Sequence, residues 1–109
     1  MKRTEAQISK AMMMEASRLG LRVFRNNVGL FYTKDGTPTR CGLHKGSADL
    51  IGWMPDGKIA SIEVKREGGK ARPDQINWMK QVQNAGGFAC IIDDEKKLKE
   101  MLDEYIKLR

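Results

Sequence analysis

The fold is decided by residues 48–65, Ala48-Asp49-Leu50-Ile51-Gly52-Trp53-Met54-Pro55-Asp56-Gly57-Lys58-Ile59-Ala60-Ser61-Ile62-Glu63-Val64-Lys65. Two runs of strand composition, 48–54 and 58–65, flank Pro-Asp-Gly, a strong turn signal, so the stretch reads as a β-hairpin. Side chains alternate along a strand, which puts Glu63 and Lys65 on one face and Ile62 and Val64 on the other. A hairpin of this length brings Asp49, near the start of its first strand, beside Glu63 and Lys65, near the end of the second.

Downstream, residues 66–72 form a basic, glycine-bearing loop. Pro73 opens a helix at the position where a missing amide hydrogen costs nothing. Gln75, Trp78, Met79, Val82 and Ala85 share one face of it, and Gly86-Gly87 stops it. Phe88 to Ile92 has the length and composition of a buried strand. The strand–helix–strand order favours a parallel pair with a right-handed crossover. Asp93 or Asp94 caps a last helix whose apolar stripe is Leu98, Met101, Leu102, Tyr105 and Ile106.

Upstream, Thr4 followed by Gln7 is a capping-box signature, and Ile8, Ala11, Met12, Ala16 and Leu19 recur at helical spacing until Gly20. Glu5 lies on that same face. Residues 21–25 and 28–33 have strand composition, and Asp35-Gly36 signals a turn. Residues 38–47, with Gly42 and Gly46, read as a loop carrying Arg40, His44 and Lys45. Trp78 and the helical methionines 12–14, 79 and 101 are assigned to the core. The order is α-β-β-β-α-β-α: a single α/β domain over residues 1–109, with a central mixed sheet flanked by helices.

The composition agrees with this. A chain of 109 residues suits one domain, and 40% hydrophobic with 31% charged residues is ordinary for a folded protein. The longest apolar runs are four or five residues, too short for a bilayer. No apolar stretch follows the first charges as a secretory signal would, so retention in the cytosol is expected. Twenty Lys and Arg against 14 Asp and Glu leave a net charge of +6. An anionic partner, most commonly nucleic acid, follows from that excess; the plain alternative is a charge that serves solubility. Cys41 and Cys90 make no disulfide framework. Cys41-Gly-Leu-His44 has a spacing that opens some zinc sites, but the chain lacks four good ligands, so no structural zinc is expected.

The chemistry resides in Asp49, Glu63 and Lys65. Two carboxylates and an ammonium at one end of a sheet are expensive to bury without a cation or water. Two carboxylates, a backbone carbonyl and water suit Mg²⁺ or Mn²⁺ rather than zinc. Hydrolysis of a phosphodiester needs such a set: an ion to polarise the phosphoryl oxygen and activate water, and a lysine to orient the nucleophile or stabilise charge. The alternative is an exposed strand face on which Glu63 and Lys65 form a weak surface pair. Gly46-Ser47-Ala48, just before Asp49, lets backbone approach a ligand closely. Gln75, on an apolar face beside Trp78, requires a polar partner.

Taken together, Glu5, Gly46-Ser47-Ala48-Asp49, Ile62-Glu63-Val64-Lys65 and Gln75-Ile76-Asn77-Trp78 resemble, in order, the VRR-NUC branch of the PD-(D/E)XK nucleases. One departure is Ala48, where proline is common. The resemblance implies a restriction-endonuclease-like core, Asp49 and Glu63 as metal ligands, and the Val64 carbonyl as a third. It implies that Lys65 positions or activates the attacking water and stabilises charge on the phosphate. Glu5 would reach in from the first helix to hold a water ligand of the ion or a second ion; its alternative is a complement to the helix dipole. Gln75 would orient Lys65 or the water; its alternative is a place on the helix surface.

Arg40, Lys45, Arg66, Lys70 and Arg72 flank the expected site and are candidates to grip phosphates, or else to solvate their loops. His44 is assigned to phosphate or solvent contact rather than catalysis. Small members of the family resemble Holliday junction resolvases. The leading expectation is thus a Mg²⁺- or Mn²⁺-dependent DNA endonuclease that leaves 5′-phosphate and 3′-hydroxyl ends and acts on branched DNA as a homodimer. The competing readings are a non-cleaving nucleic-acid-binding module and a partner subunit for a larger helicase or methylase.

Overall fold

The computed structural model describes residues 2–108, so residues 1 and 109 of the expected domain lie outside it. Helix α1 (Glu5–Arg18) begins as its capping box dictates. Thr4 Oγ1 accepts from Gln7 N at 3.1 Å, and Gln7 Oε1 accepts from Thr4 N at 2.8 Å. Past the C-cap Leu19, Gly20 terminates the helix with a positive φ that lets Leu21 N return to Ala16 O. Ile8, Met12 and Ala16 are buried, whereas Met14 is 69% exposed. The expectation of a core role for methionines 12–14 fails at Met14. Two residues along a helix is a rotation of about 200°, which carries Met14 away from the face that Met12 buries.

Four strands make the main sheet: β1 (Arg22–Arg25), β4 (Leu50–Trp53), β5 (Ile59–Val64) and β6 (Phe88–Ile92), in the order β1-β4-β5-β6. β4 pairs antiparallel with both β1 and β5, with Leu50 opposite Ile62 and Trp53 opposite Ile59. β6 joins β5 in parallel through α2 (Pro73–Asn84), as a crossover requires. The sheet is therefore mixed and flanked by helices, with the expected α-β-β-β-α-β-α core order. A single 3₁₀ turn, Glu95–Lys97, is capped by Asp94 and leads into α3 (Leu98–Lys107).

β5 is buried from Ala60 onward. Its Ile62 and Val64 point into one hydrophobic core with Ile8, Met12, Leu50, Leu98 and Leu102. Each such side chain contributes roughly 1.5–3 kcal/mol when fully buried. The opposite face of β5 meets α2, where Trp78 Nε1 donates to Ser61 Oγ at 3.0 Å. Ile106, placed on the apolar stripe of α3 by its spacing, is exposed at the end of that helix.

The stretch 38–47 is not all loop. Strand β3 (Pro38–Cys41) pairs antiparallel with β2 (Gly29–Tyr32) in a separate two-stranded sheet inserted between β1 and β4. Pro38 lacks a donor and Arg40 and Cys41 are poor strand markers, so local composition conceals the strand; pairing across the Asp35-Gly36 turn creates it. Among the described residues, no helix is long and apolar enough to cross a membrane.

Candidate active site

The site is built where the ends of β4 and β5 meet the start of α2. Asp49 sits just ahead of β4, and its Oδ2 accepts from Val64 N at 3.0 Å. This bond fixes the carboxylate against the end of β5 and prolongs the β4–β5 ladder. Glu63, in β5, and Lys65, just past its end, lie side by side with Lys65 Nζ 3.4 Å from Glu63 Oε2. Both residues are buried, so this is no exposed surface pair. Lys65 N donates to Ile92 O at 2.8 Å, which secures the backbone that carries the ammonium.

Gln75 completes the cluster. Pro73 starts α2, and the first turn brings Gln75 over β5, where its Nε2 donates to Glu63 Oε2 at 2.9 Å. Its Oε1 accepts from Arg72 N at 2.9 Å, so one amide caps the helix and holds the carboxylate. The expected role of Gln75 is to orient Lys65 or a water; in the structure its amide donates to Glu63 Oε2, the oxygen that Lys65 Nζ also approaches. Glu63 Oε1 is left buried without a hydrogen-bond partner. Burial pushes the Glu63 carboxyl up to about 7; the nearby Asp49 charge adds to the rise and Lys65 opposes it.

These residues open onto a cleft of about 1340 Å³. Glu5 lines it from the first turn of α1, and Arg40, Lys45 and Arg72 line it from the surrounding loops and hairpin. Arg66 and Lys70 are exposed but do not line the cleft. His44 lines it as well, with Nδ1 2.8 Å from Lys45 O, a contact that places the proton on Nδ1.

Two cleft residues escaped the reading of the sequence. Arg25 lines the cleft from the end of β1. Asn26 accepts from Leu43 N and donates to Ser47 Oγ and Ala48 O, while its own N–H bonds Asp49 O at 2.7 Å. No local pattern marks Asn26, because its partners are 17 to 23 residues away. Gly46 permits the close passage of this loop over α2: a Cβ there would stand 2.9 Å from Asp74 O, and φ is +91°.

The donor set suits a hard divalent cation. Two carboxylates face one space, and one oxygen of Glu63 is buried with nothing to satisfy it. Among the described residues no group of three or more His, Cys, Asp or Glu converges. Asp49 and Glu63 would therefore share an ion with carbonyl and water oxygens, as Mg²⁺ sites commonly do.

The model of the VRR-NUC domain matches residues 3–93, which span α1 through β6 and the whole cleft. The chain belongs to the VRR-NUC family. That domain is part of the PD-(D/E)XK nuclease superfamily, whose members generally use divalent metals, and it gives this protein a nuclease-type function. Helix α3 lies beyond the matched span. No curated protein matches the chain.

Proposed function

We propose that this VRR-NUC protein is a metal-dependent DNA endonuclease, and that it cuts branched DNA as a homodimer. The observation that carries the reading is the convergence of Asp49, Glu63 and Lys65 in one cleft, with Glu63 Oε1 buried and unsatisfied.

Asp49, Glu63 and the Val64 carbonyl would hold Mg²⁺ or Mn²⁺. When bound, such an ion supplies Lewis acidity toward a phosphoryl oxygen and toward the attacking water. Gln75 holds one oxygen of Glu63 and leaves the other without a hydrogen-bond partner. The Lys65 ammonium, kept at the end of β5, donates to the water or to the non-bridging phosphate oxygen as charge builds on it. Glu5, at the rim, accepts from water entering the site. Arg40, Lys45 and Arg72 grip the flanking phosphates, with Arg66 and Lys70 reaching those further along. Water adds to phosphorus and the 3′-oxygen leaves, which yields 5′-phosphate and 3′-hydroxyl ends.

One cleft in a small domain offers little surface for a long substrate. A two-fold dimer presents two identical sites, a geometry that suits a four-way junction. The intact acid–acid–lysine set separates this reading from that of a non-cleaving module. The test is cleavage of a labelled four-way junction, with duplex and flap controls, in Mg²⁺, Mn²⁺ or EDTA. Paired metal-dependent cuts across the junction support the whole reading. Metal-dependent cuts without junction preference keep the nuclease and discard the resolvase, and binding without cleavage in any metal discards both.

A further inference from the structure

The β2–β3 hairpin is unusual for a two-stranded sheet. It pairs with no strand of the main sheet, and every residue from Leu30 to Cys41 is exposed. An isolated hairpin is marginal in water unless something anchors or covers it. The anchoring is visible at its base. Asn26 Oδ1 accepts from Leu43 N at 2.9 Å. The chain at Gly42 passes so close to Asn27 that an added Cβ would stand 2.7 Å from Asn27 O. The arm is thus fixed at its root and bare along its length.

Its two faces differ. Register places Gly29 opposite Cys41 and Phe31 opposite Thr39, so these four share one face, while Leu30, Tyr32 and Arg40 start from the other. The Phe31 ring lies back over Gly29, 3.2 Å from where a Cβ would be, and lines the cleft that holds Asp49, Glu63 and Lys65. Glycine at 29 and a small thiol at 41 leave room for a flat ring toward the root of the arm. Phe31 remains 49% exposed, so packing within the chain does not account for it. Around it the cleft is cationic, with Arg25, Lys45 and Arg72 among its lining.

We infer that Phe31 stacks on a DNA base beside the scissile phosphate, and that the hairpin is the arm that presents it. The inference rests on the nuclease reading and specifies its substrate: DNA with an unstacked or unpaired nucleotide at the cut, as found where strands branch. A regular duplex keeps its base faces covered by their neighbours. An aromatic ring in a cationic cleft therefore gains most from a base already freed from its stack. The cations of the cleft favour a polyanion over a second copy of this basic chain as its occupant.

The test compares Phe31→Ala, Phe31→Leu and Phe31→Trp, each in a Lys65→Ala background that leaves DNA uncut. Binding is read by fluorescence anisotropy on a four-way junction and on a duplex of the same sequence. A 2-aminopurine at the branch point reports stacking directly. Phe31→Ala and Phe31→Leu are expected to weaken junction binding about tenfold and to abolish the stacking signal, with Phe31→Trp within about twofold of the Phe31 parent and duplex binding unchanged. Equal junction binding by parent and Phe31→Ala overturns the inference, as does an equal loss on both DNAs. A fall in sedimentation mass caused by Phe31→Ala also overturns it and makes the hairpin an arm between copies. If the protein with Lys65 intact neither binds nor cuts any DNA, the nuclease reading has failed first and takes this inference with it.

Discussion

Gln75 Nε2 holds Glu63 Oε2 at 2.9 Å while Glu63 Oε1 is buried with no partner. A helix amide thus fixes half of a carboxylate whose residue lines one cleft with Asp49 and Lys65.

Gln75→Ala removes both the cap on Arg72 N and the donor to Glu63. The expected cost is about 1–3 kcal/mol, since a buried carboxylate loses its hydrogen bond. Gln75→Glu keeps an acceptor for the cap but sets a second carboxylate against Glu63. Its urea midpoint should fall below that of the parent, and the gap should widen between pH 5 and pH 8.

Glu63 gives the metal-free protein a pH dependence of definite sign. Its folded pKa, about 7, lies above the ordinary carboxyl value of 4.5, so the folded state binds more protons between those two values. Its contribution to stability is full below about pH 4.5 and is lost as pH rises through about 7. Urea melts in EDTA should show this decline, and Glu63→Gln should flatten it. Mg²⁺ at pH 8 should restore stability to the parent and leave Glu63→Gln unaffected.

Cys41 is exposed on the hairpin, whereas Cys90 is buried in β6 and burial pushes its thiol up to about 12. At pH 8 the folded protein should react rapidly with one equivalent of a thiol reagent and, after unfolding, with two. Because Cys41 lines the cleft, bound DNA should slow the first reaction. Two fast equivalents in the folded state would contradict the burial of β6.

Lys65→Met retains the stem of the side chain and removes the ammonium. Cleavage is expected to fall by about 10²-fold or more while DNA binding persists, since the charge acts on the reacting phosphate. Similar losses in binding and in cleavage would instead make Lys65 a phosphate anchor.

Much of this was legible from local pattern. Alternation along 58–65 separates Glu63 and Lys65 from Ile62 and Val64, and Pro-Asp-Gly fixes the register that carries Asp49 to Val64 N. Thr4 with Gln7, and Pro73 ahead of Gln75, mark two helix starts that the structure shows where expected. The less legible parts depend on distant partners. β3 exists because β2 pairs with it, Asn26 matters through residues 43–49, and the bond from Gln75 to Glu63 joins residues twelve apart. Met14 shows the opposite limit: three successive methionines invite one assignment, but helical rotation separates them.

The central claim is that Asp49 and Glu63 form a divalent-cation site. Its most direct test is calorimetric titration of Mn²⁺ into the parent, Asp49→Asn and Glu63→Gln proteins at pH 8, with circular dichroism to verify the fold. The account predicts saturable uptake by the parent and affinities weakened at least about tenfold in both variants, with unchanged spectra. Uptake by either folded variant equal to that of the parent would contradict it.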